Sequence, residues 1–381
     1  MDLGACDDMD VRIDDDRIVE VGQGLASEDD ERVIDAAGRV LMPAFIDAHT
    51  HACWAGERLD EWELKQRGAT YLEVLESGGG IMSTVRAVRA ATQQQLARDL
   101  HLRLHGMLRE GTTAVEVKSG YGLSTADELK MLRAIAEVAT DWPGHVAMTA
   151  CVGHALDPDI DHAMFIEQTI NETLDAVHAE FPGIPVDAYC EQGAWSLKEC
   201  VRLFERASEL GHPVRVHTDQ FNALGMTEWA IEHSVLSVDH LEATSLDVLA
   251  RVAASKTFGV ILPCSGFHVD GRYGDGRSFI DAGGALVIAT NNNPGSAPCA
   301  SMPMAIALAT RHLGITAAEA ITACTLNAAA LLGLHDRGSI SIGRRADLVL
   351  LRHTDERLLG YEFGGDPVDV VVCAGEVVSD R

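Results

Sequence analysis

Apolar, strand-like runs alternate with amphipathic helical stretches through the middle of the chain. The apolar runs predict eight strands, at residues 45–51, 112–118, 146–153, 185–191, 213–219, 236–242, 258–263 and 285–291. Between them, stretches such as 127–138, 167–181 and 197–210 repeat apolar residues at helical spacing. Alternating strands and helices favour a parallel sheet, and eight such units fit an α/β fold of the TIM-like (β/α)8 barrel type. The active site of such a barrel lies at the C-terminal ends of its strands.

Both ends of the chain contain strand-like pieces that do not follow this alternation. Residues 17–22 alternate in the manner of an antiparallel strand, and residues 346–351 and 368–378 are similar. We therefore predict a small β-sandwich domain formed by both termini, residues 1–42 plus 339–381. The barrel would then comprise residues 43–338.

Composition limits the classes of partner. The chain has 58 acidic and 30 basic residues and a net charge of -28, so it repels nucleic acid and anionic lipid, and neither is a predicted partner. A solvated surface is our interpretation of this acidity, and adaptation to high salt is the alternative. The sequence has no long apolar run, no signal-like start and no C-x-x-C among its 9 cysteines. These features predict a cytoplasmic protein with reduced thiols.

Residues that can bind a metal lie at the ends of most predicted strands. The first strand ends in His49 and His51, the third is followed by His154, and the fifth and sixth contain His217 and His240. A lone histidine at a strand end is more often structural. Four strands that end in this way favour a shared site.

Spacing and residue type predict one metal ion. On a strand, His49 and His51 point to the same face, where both can bind a divalent metal; the alternative is two polar surface histidines. Adding His217 gives a hydrolytic site with an open position for water, and His240 becomes the imidazole that holds or deprotonates that water. No lysine ends the fourth strand to bridge a second metal, so a single ion is the simpler prediction. Imidazole ligands do not choose among zinc, iron and manganese.

Three motifs are narrower than the paired histidines: residues 78–86, 116–123 and 293–295. On these motifs, and from about residue 41 to 348, the chain resembles the amidohydrolase superfamily and, within it, the imidazolonepropionase family. The resemblance implies hydrolysis of the cyclic amide bond of 4-imidazolone-5-propanoate to N-formimino-L-glutamate, a step of histidine degradation. It also implies one divalent metal ion, zinc or iron with manganese possible, and a homodimer that acts on a small-molecule substrate with a carboxylate tail.

The resemblance also assigns roles to individual residues. Asn291 completes the metal site formed by the three histidines, and His240 and Gln220 take part in catalysis. The substrate contacts of the family would fall on Arg58, Tyr121, His154, Gln220, Asn293, Gly295 and Ser296. Arg58 suits this role because a guanidinium can bind a propionate carboxylate through two hydrogen bonds. The alternative for Arg58 is a surface salt bridge with Asp60 or Glu61.

Asn291 departs from the family, which has an aspartate at this position. A carboxylate there would bind the metal and accept the proton of the attacking water, whereas a carboxamide cannot take that proton. We therefore expect impaired catalysis, with His240 left to handle protons. Asn291 is either a substitution made to trap an uncleaved ligand or a natural residue that marks altered chemistry.

The stretch 264–277 is a second departure, since it is more polar than its counterpart in the family. His268 and Arg272 either line the pocket or are exposed loop residues. If they line it, the substrate is a related ring, such as a thio-substituted imidazolone or a hydantoin with the same acid tail. Two further alternatives are a deaminase of the same superfamily and a catalytically inactive ligand binder.

Overall fold

A parallel eight-stranded barrel forms the centre of the molecule, in a computed structural model that describes residues 3–27, 31–68 and 79–380. Each of the eight strands pairs with its neighbours in sequence. The strands are β4 (Phe45–Asp47), β5 (Thr112–Lys118), β6 (His145–Gly153), β7 (Val186–Cys190), β8 (Val214–Thr218), β9 (Ser237–His240), β10 (Phe258–Ile261) and β11 (Leu286–Ile288). The predicted (β/α)8 barrel is confirmed.

Helices follow most of these strands and cover the barrel. Their bounds are Leu59–Gln66, Ile81–Ala90, Gln93–Arg109, Thr125–Asp141, His162–Gln168, Leu174–Glu180, Leu197–Glu209, Met226–Glu232, Leu246–Ala253, Pro263–Val269, Gly276–Asp281, Met302–His312, Ala317–Ala323, Leu326–Leu331 and Leu358–Tyr361. A π-helical turn, Thr169–Thr173, makes His162–Gln168 and Leu174–Glu180 continuous. In the part of the chain that is described, no helix combines the length and apolar character needed to cross a bilayer.

The helix Leu197–Glu209 illustrates why these stretches fold as they do. Ser196 and Glu199 form a capping box, which satisfies backbone N–H groups at the first turn. Cys200, Leu203, Phe204 and Ala207 recur at helical spacing and are fully buried against the barrel. Burial of a side chain as large as leucine or phenylalanine stabilises the fold by about 2 kcal/mol.

The terminal segments form two antiparallel sheets. One pairs β1 (Asp10–Asp14) with β2 (Arg17–Gly22), and the other has the order β14 (Glu376–Asp380), β13 (Val368–Cys373), β12 (Leu348–Leu351) and β3 (Leu41–Pro43). Ile18 from the first sheet and Leu348, Leu350 and Val370 from the second belong to one buried cluster. These sheets are compatible with the predicted terminal domain, whose boundaries stay a prediction.

Two predicted strands end three or four residues earlier than the hydrophobic pattern indicated. The first stops at Asp47 and the last at Ile288, because the residues beyond them bond across the closing edge of the barrel. The N–H of Asn291 donates to the carbonyl of His49 at 3.1 Å, and the N–H of His51 donates to the carbonyl of Asn292 at 3.0 Å. The segments that hold the site therefore join the first and last strands. Gly78, the first residue of the motif at 78–86, lies outside the described residues.

Candidate metal centre and active site

Three histidines from opposite parts of the chain converge at the C-terminal end of the barrel. His49 and His51 follow β4, and His217 lies on β8. All three are buried, and one ligand nitrogen from each lies within 4.8 Å of the others. The Nε2 atoms of His51 and His217 are 3.0 Å apart. Two nitrogen lone pairs this close favour a shared cation, so the cluster fits a metal site.

Carboxylates behind two of these histidines set the direction of their lone pairs. His49 Nδ1 lies 2.6 Å from Asp239, and His217 Nδ1 lies 3.1 Å from Asp187. A proton on Nδ1 leaves the Nε2 lone pair free to bind a metal. Burial holds the pKa of His49 and of His51 well below the ordinary value, so both rings are neutral, the state that binds metal.

Asn291 lies at the same site with its side-chain oxygen unbonded. The residue is 3% exposed, and its Oδ1 has no hydrogen-bond partner among the described residues. His49 Nε2 is a second buried polar atom that lacks a partner within that part of the chain. Because buried polar atoms are normally bonded, the amide oxygen and the imidazole nitrogen fit the donor set of a metal ion.

The backbone at the strand ends around the cluster is strained. Asp219, His240, Leu241 and Asn291 have φ values of 55°, 96°, 70° and 57°. Non-glycine residues adopt such angles when their surroundings enforce them, and they are common at functional sites. Asp219, for example, accepts hydrogen bonds from Thr227 and other side chains. The ends of β8, β9 and β11 are therefore fixed by the fold.

His240 lies beside the three histidines. Its ring centroid is 5.7 Å from that of His217 and 6.2 Å from that of His49, and its Nδ1 is 3.2 Å from Glu242 Oε1. With one nitrogen directed to Glu242, the ring is oriented by a carboxylate, as an imidazole that exchanges protons requires.

Tyr121 and His154 form one wall of the site. The His154 ring stacks on His51, with centroids 4.6 Å apart and planes at 11°. Its Nδ1 lies 3.0 Å from the carbonyl oxygen of Gly120, and burial lowers the pKa of His154 to about 3, so the ring is neutral at physiological pH. The Tyr121 ring is 5.1 Å from His154, and burial raises the pKa of its hydroxyl, which keeps it a hydrogen-bond donor.

The position of Arg58 is compatible with both roles considered from the sequence, a salt bridge and a contact with the substrate. It binds Glu61, with Nε at 2.6 Å from Oε2, and donates to Thr84 at 3.3 Å. A methyl group added at Gly295 would lie 3.2 Å from its guanidinium, so Arg58 also faces the loop after β11. Its side chain is 11% exposed. The salt bridge that was the alternative for Arg58 therefore exists, with Glu61 and not with Asp60, and it holds Arg58 beside the loop after β11.

That loop is a tight turn built on Asn293. Its Oδ1 accepts hydrogen bonds from the N–H groups of Gly295 and Ser296 at 2.9 and 2.8 Å, and its Nδ2 donates to the carbonyl of Asn291 at 2.6 Å. Asn293 thus connects the turn to Asn291, the candidate metal ligand. Gln220, on the opposite side, accepts a hydrogen bond from the Tyr189 hydroxyl at 2.8 Å.

The polar stretch after β10 is partly helical and partly at the edge of the site. His268 stacks on the exposed Trp62 with ring centroids 4.7 Å apart. Arg272 pairs with Asp270 at 2.6 Å, and it lines a small cavity together with Gln220 and other residues. Arg272 therefore adjoins a predicted site residue, as do Ser265, Gly266, Val269 and Asp270 of the same stretch.

Five buried charged residues beneath the histidines were not predicted as site residues: Glu116, Lys118, Asp187, Arg215 and Asp239. A signal for them exists in the sequence. Glu116 and Lys118, and likewise Arg215 and His217, are spaced i, i+2 within apolar strands, so each pair shares the face that points into the barrel. Which charges pair with each other depends on the stagger of the strands, which the spacing does not give.

Comparison with known proteins agrees with this architecture. A model of the amidohydrolase family matches residues 40–378. The chain is 44% identical to an imidazolonepropionase of Herpetosiphon aurantiacus, over 91% of this chain and 84% of that protein. It is 42% identical to an imidazolonepropionase of Deinococcus radiodurans, over 93% and 88%. A crystal structure of 5-methylcytosine deaminase from Klebsiella pneumoniae has the same fold, with a TM-score of 0.78, 18% identity and coverage of 98% of this chain and 94% of that one.

Proposed function

The chain belongs to the amidohydrolase family and, within it, to the imidazolonepropionases, and from this premise we propose that it hydrolyses the cyclic amide bond of 4-imidazolone-5-propanoate to N-formimino-L-glutamate. The observation that carries the proposal is the convergence of His49, His51 and His217 within 4.8 Å, beside Tyr121 and His154. Neutral polar side chains next to a metal-binding cluster suit a small polar ring as substrate.

The donor set supports one divalent metal ion, for which zinc and iron are our candidates. His49, His51 and His217 would hold it through ring nitrogens, with the amide oxygen of Asn291 as the fourth candidate ligand. When bound, such an ion polarises a carbonyl oxygen and makes water more acidic.

Arg58 is the candidate for binding the carboxylate tail of the substrate. It lies next to Gly295 and is oriented by Glu61, which leaves part of its guanidinium fork available to a second acceptor. Tyr121 donates a hydrogen bond to an oxygen atom of the substrate. The neutral His154 donates its Nδ1–H to the carbonyl of Gly120, so its Nε2 is the acceptor for an N–H of the substrate ring. These contacts position the ring carbonyl toward the three histidines.

His240 handles the proton in this scheme. The imidazole of His240 takes a proton from the attacking water and passes it to the substrate nitrogen that leaves when the C–N bond of the substrate ring breaks. Gln220, held by Tyr189, orients the water or substrate by hydrogen bonding. Asn291 cannot accept a proton, so we expect slow turnover from the chain with this sequence.

Asn291 also favours a second candidate, a protein that binds the same ligand without turnover. Incubation of the metal-loaded protein with 4-imidazolone-5-propanoate, followed by mass spectrometry, separates the two candidates. We expect slow formation of N-formimino-L-glutamate and one equivalent of metal per chain. Release of ammonia or sulfide from a related ring would instead favour another amidohydrolase reaction, and binding without any product would favour the second candidate.

A further inference from the structure

A buried chain of charges leads away from His49. Asp239 Oδ2 accepts a hydrogen bond from His49 Nδ1 at 2.6 Å and another from Arg215 at 2.7 Å. Arg215 also forms an ion pair with Glu116 at 2.7 Å and donates to the carbonyl oxygen of Ala48 at 2.9 Å. The same guanidinium therefore binds the partner of His49 and the backbone next to His49.

The chain continues from Glu116 to His217. Lys118 Nζ lies 2.8 Å from Glu116 Oε1 and 2.7 Å from Asp187 Oδ2. The other oxygen of Asp187 is 3.1 Å from His217 Nδ1. Unbroken contacts thus join two of the three histidines through five charged residues, which we name the buried charge network: Asp239, Arg215, Glu116, Lys118 and Asp187.

The buried charge network carries an excess of negative charge. Its three carboxylates face two cations, and no member is more than 1% exposed. Barrel interiors are normally filled by branched apolar side chains, and burying charges costs more free energy than packing apolar groups. A purely space-filling role is therefore disfavoured. The excess negative charge lies directly behind the histidines, where a bound cation would offset it.

We propose that the buried charge network positions the metal site: Asp239 and Asp187 fix His49 and His217 with Nε2 toward the metal, and Glu116 couples the two halves. The network then supplies the negative charge that the neutral Asn291 does not. This inference rests on the proposed metal-dependent function, but it concerns metal affinity and not turnover.

Glu116→Gln tests the coupling without touching a histidine or its carboxylate partner. The substitution keeps the shape of the side chain and removes the charge that links Lys118 to Arg215. Loss of a group that orients metal ligands typically weakens binding 10–100-fold, so we expect the Kd for Zn²⁺, measured against a competing chelator, to rise by about that factor. We also expect a mixture of imidazole tautomers in ¹⁵N NMR spectra of the metal-free variant. Metal-free wild-type protein should show only Nδ1–H for His49 and His217.

Arg337→Met is the matched control, because it breaks another buried ion pair, between Arg337 and Asp347 at 3.0 Å, outside the network. We expect its Tm to fall with the Kd for Zn²⁺ unchanged. If Glu116→Gln lowers Tm in the same way but leaves Kd within twofold of wild type, the network is structural and the inference is wrong.

Two measurements keep the inference testable if Glu116→Gln does not fold. Lys118→Met removes the contact that orients Asp187 but also increases the negative charge of the network. If positioning is the role of the network, Zn²⁺ binding should weaken about tenfold or more and the charge-preserving Lys118→Arg should restore most of it, whereas tighter binding would overturn the inference. An Nε2–H tautomer on His49 or His217 in the wild-type protein would overturn the inference without any variant. Failure of the wild-type protein to bind a divalent metal would instead refute the proposed function.

Discussion

Asn291→Asp is the most informative substitution in this chain. Asn291 is 3% exposed, and its Oδ1 lacks a hydrogen-bond partner among the residues described, so a carboxylate can replace the amide without steric change. The buried charge network has three carboxylates and two cations, an excess of one negative charge. An aspartate at 291 would raise the excess to two negative charges, which would balance the charge of a divalent ion.

The expected gain in rate follows from the chemistry of a general base. A positioned base contributes about 10²–10⁴-fold, or roughly 2.7–5.5 kcal/mol of transition-state stabilisation at about 1.36 kcal/mol per tenfold. We expect kcat/KM for ring hydrolysis to rise within this range in Asn291→Asp. The metal-free variant should have a lower Tm than wild type, because the added carboxylate is buried without a partner, and Zn²⁺ should raise its Tm more.

Initial rates at saturating metal, with metal content measured on the same samples, give the comparison. Asn292→Asp is the matched control, since Asn292 is also 3% exposed and neighbours Asn291, but its amide contacts the sulfur of Met107 at 3.7 Å. Asn292→Asp adds the same charge and should give no gain in the rate of ring hydrolysis. If folded, metal-loaded Asn291→Asp is no faster than wild type, the missing base is not what limits this chain.

Three further predictions concern substrate binding, packing and pH. Arg58→Lys should raise KM for the carboxylate-bearing substrate about 10–100-fold with kcat within a few-fold, because one charged hydrogen bond is lost; an unchanged KM would contradict its role. Gly120→Ala should lower the free energy of unfolding, measured by urea titration, by about 2–4 kcal/mol, because φ is 117° and the new methyl group would lie 2.9 Å from the carbonyl oxygen of Cys151. Gly183→Ala is the control, since Gly183 has a φ of 81° but open space around it, and it should lower the free energy of unfolding by only about 1–2 kcal/mol. Burial lowers the pKa of His145, so its unfolded form binds protons more readily and the stability it contributes above about pH 6.5 is lost on acidification. His145→Asn should therefore reduce the difference in Tm between pH 7.5 and pH 5, and an unaltered difference would argue against this role.

Periodicity was sufficient to predict the barrel, because each strand and its helix are local patterns. The helix Leu197–Glu209, predicted at 197–210, has its apolar residues at the spacing that its buried face requires. Residues 368–378 were predicted as one strand-like piece and form two, β13 and β14, because the backbone turns at Ala374 and Gly375 with φ of 52° and 82°. Ala374 gives no sign of a left-handed turn in the sequence, although Gly375 does.

The site was predictable where chemistry coincides with the ends of strands, and not where it depends on packing between them. His49, His51 and His217 were found because their positions follow from the barrel rule. The contact of Lys118 with Asp187 joins residues 69 positions apart, and that of Arg58 with the turn at Gly295 joins even more distant segments. Such pairs depend on strand stagger and loop geometry, which no local pattern encodes.

In the proposed site, metal binding depends on the buried charge network as well as on position 291, whereas the missing base belongs to position 291 alone, which bears on the origin of Asn291. The groups that orient His49 and His217 lie behind the histidines and do not include position 291. If the buried charge network maintains metal affinity, loss of the carboxylate at 291 removes the base while leaving the ion bound. A chain that had lost its activity long ago would have no need to retain five buried charges that cost stability. The intact network therefore favours a site that still binds metal, and restoring one carboxylate should be enough to recover fast hydrolysis.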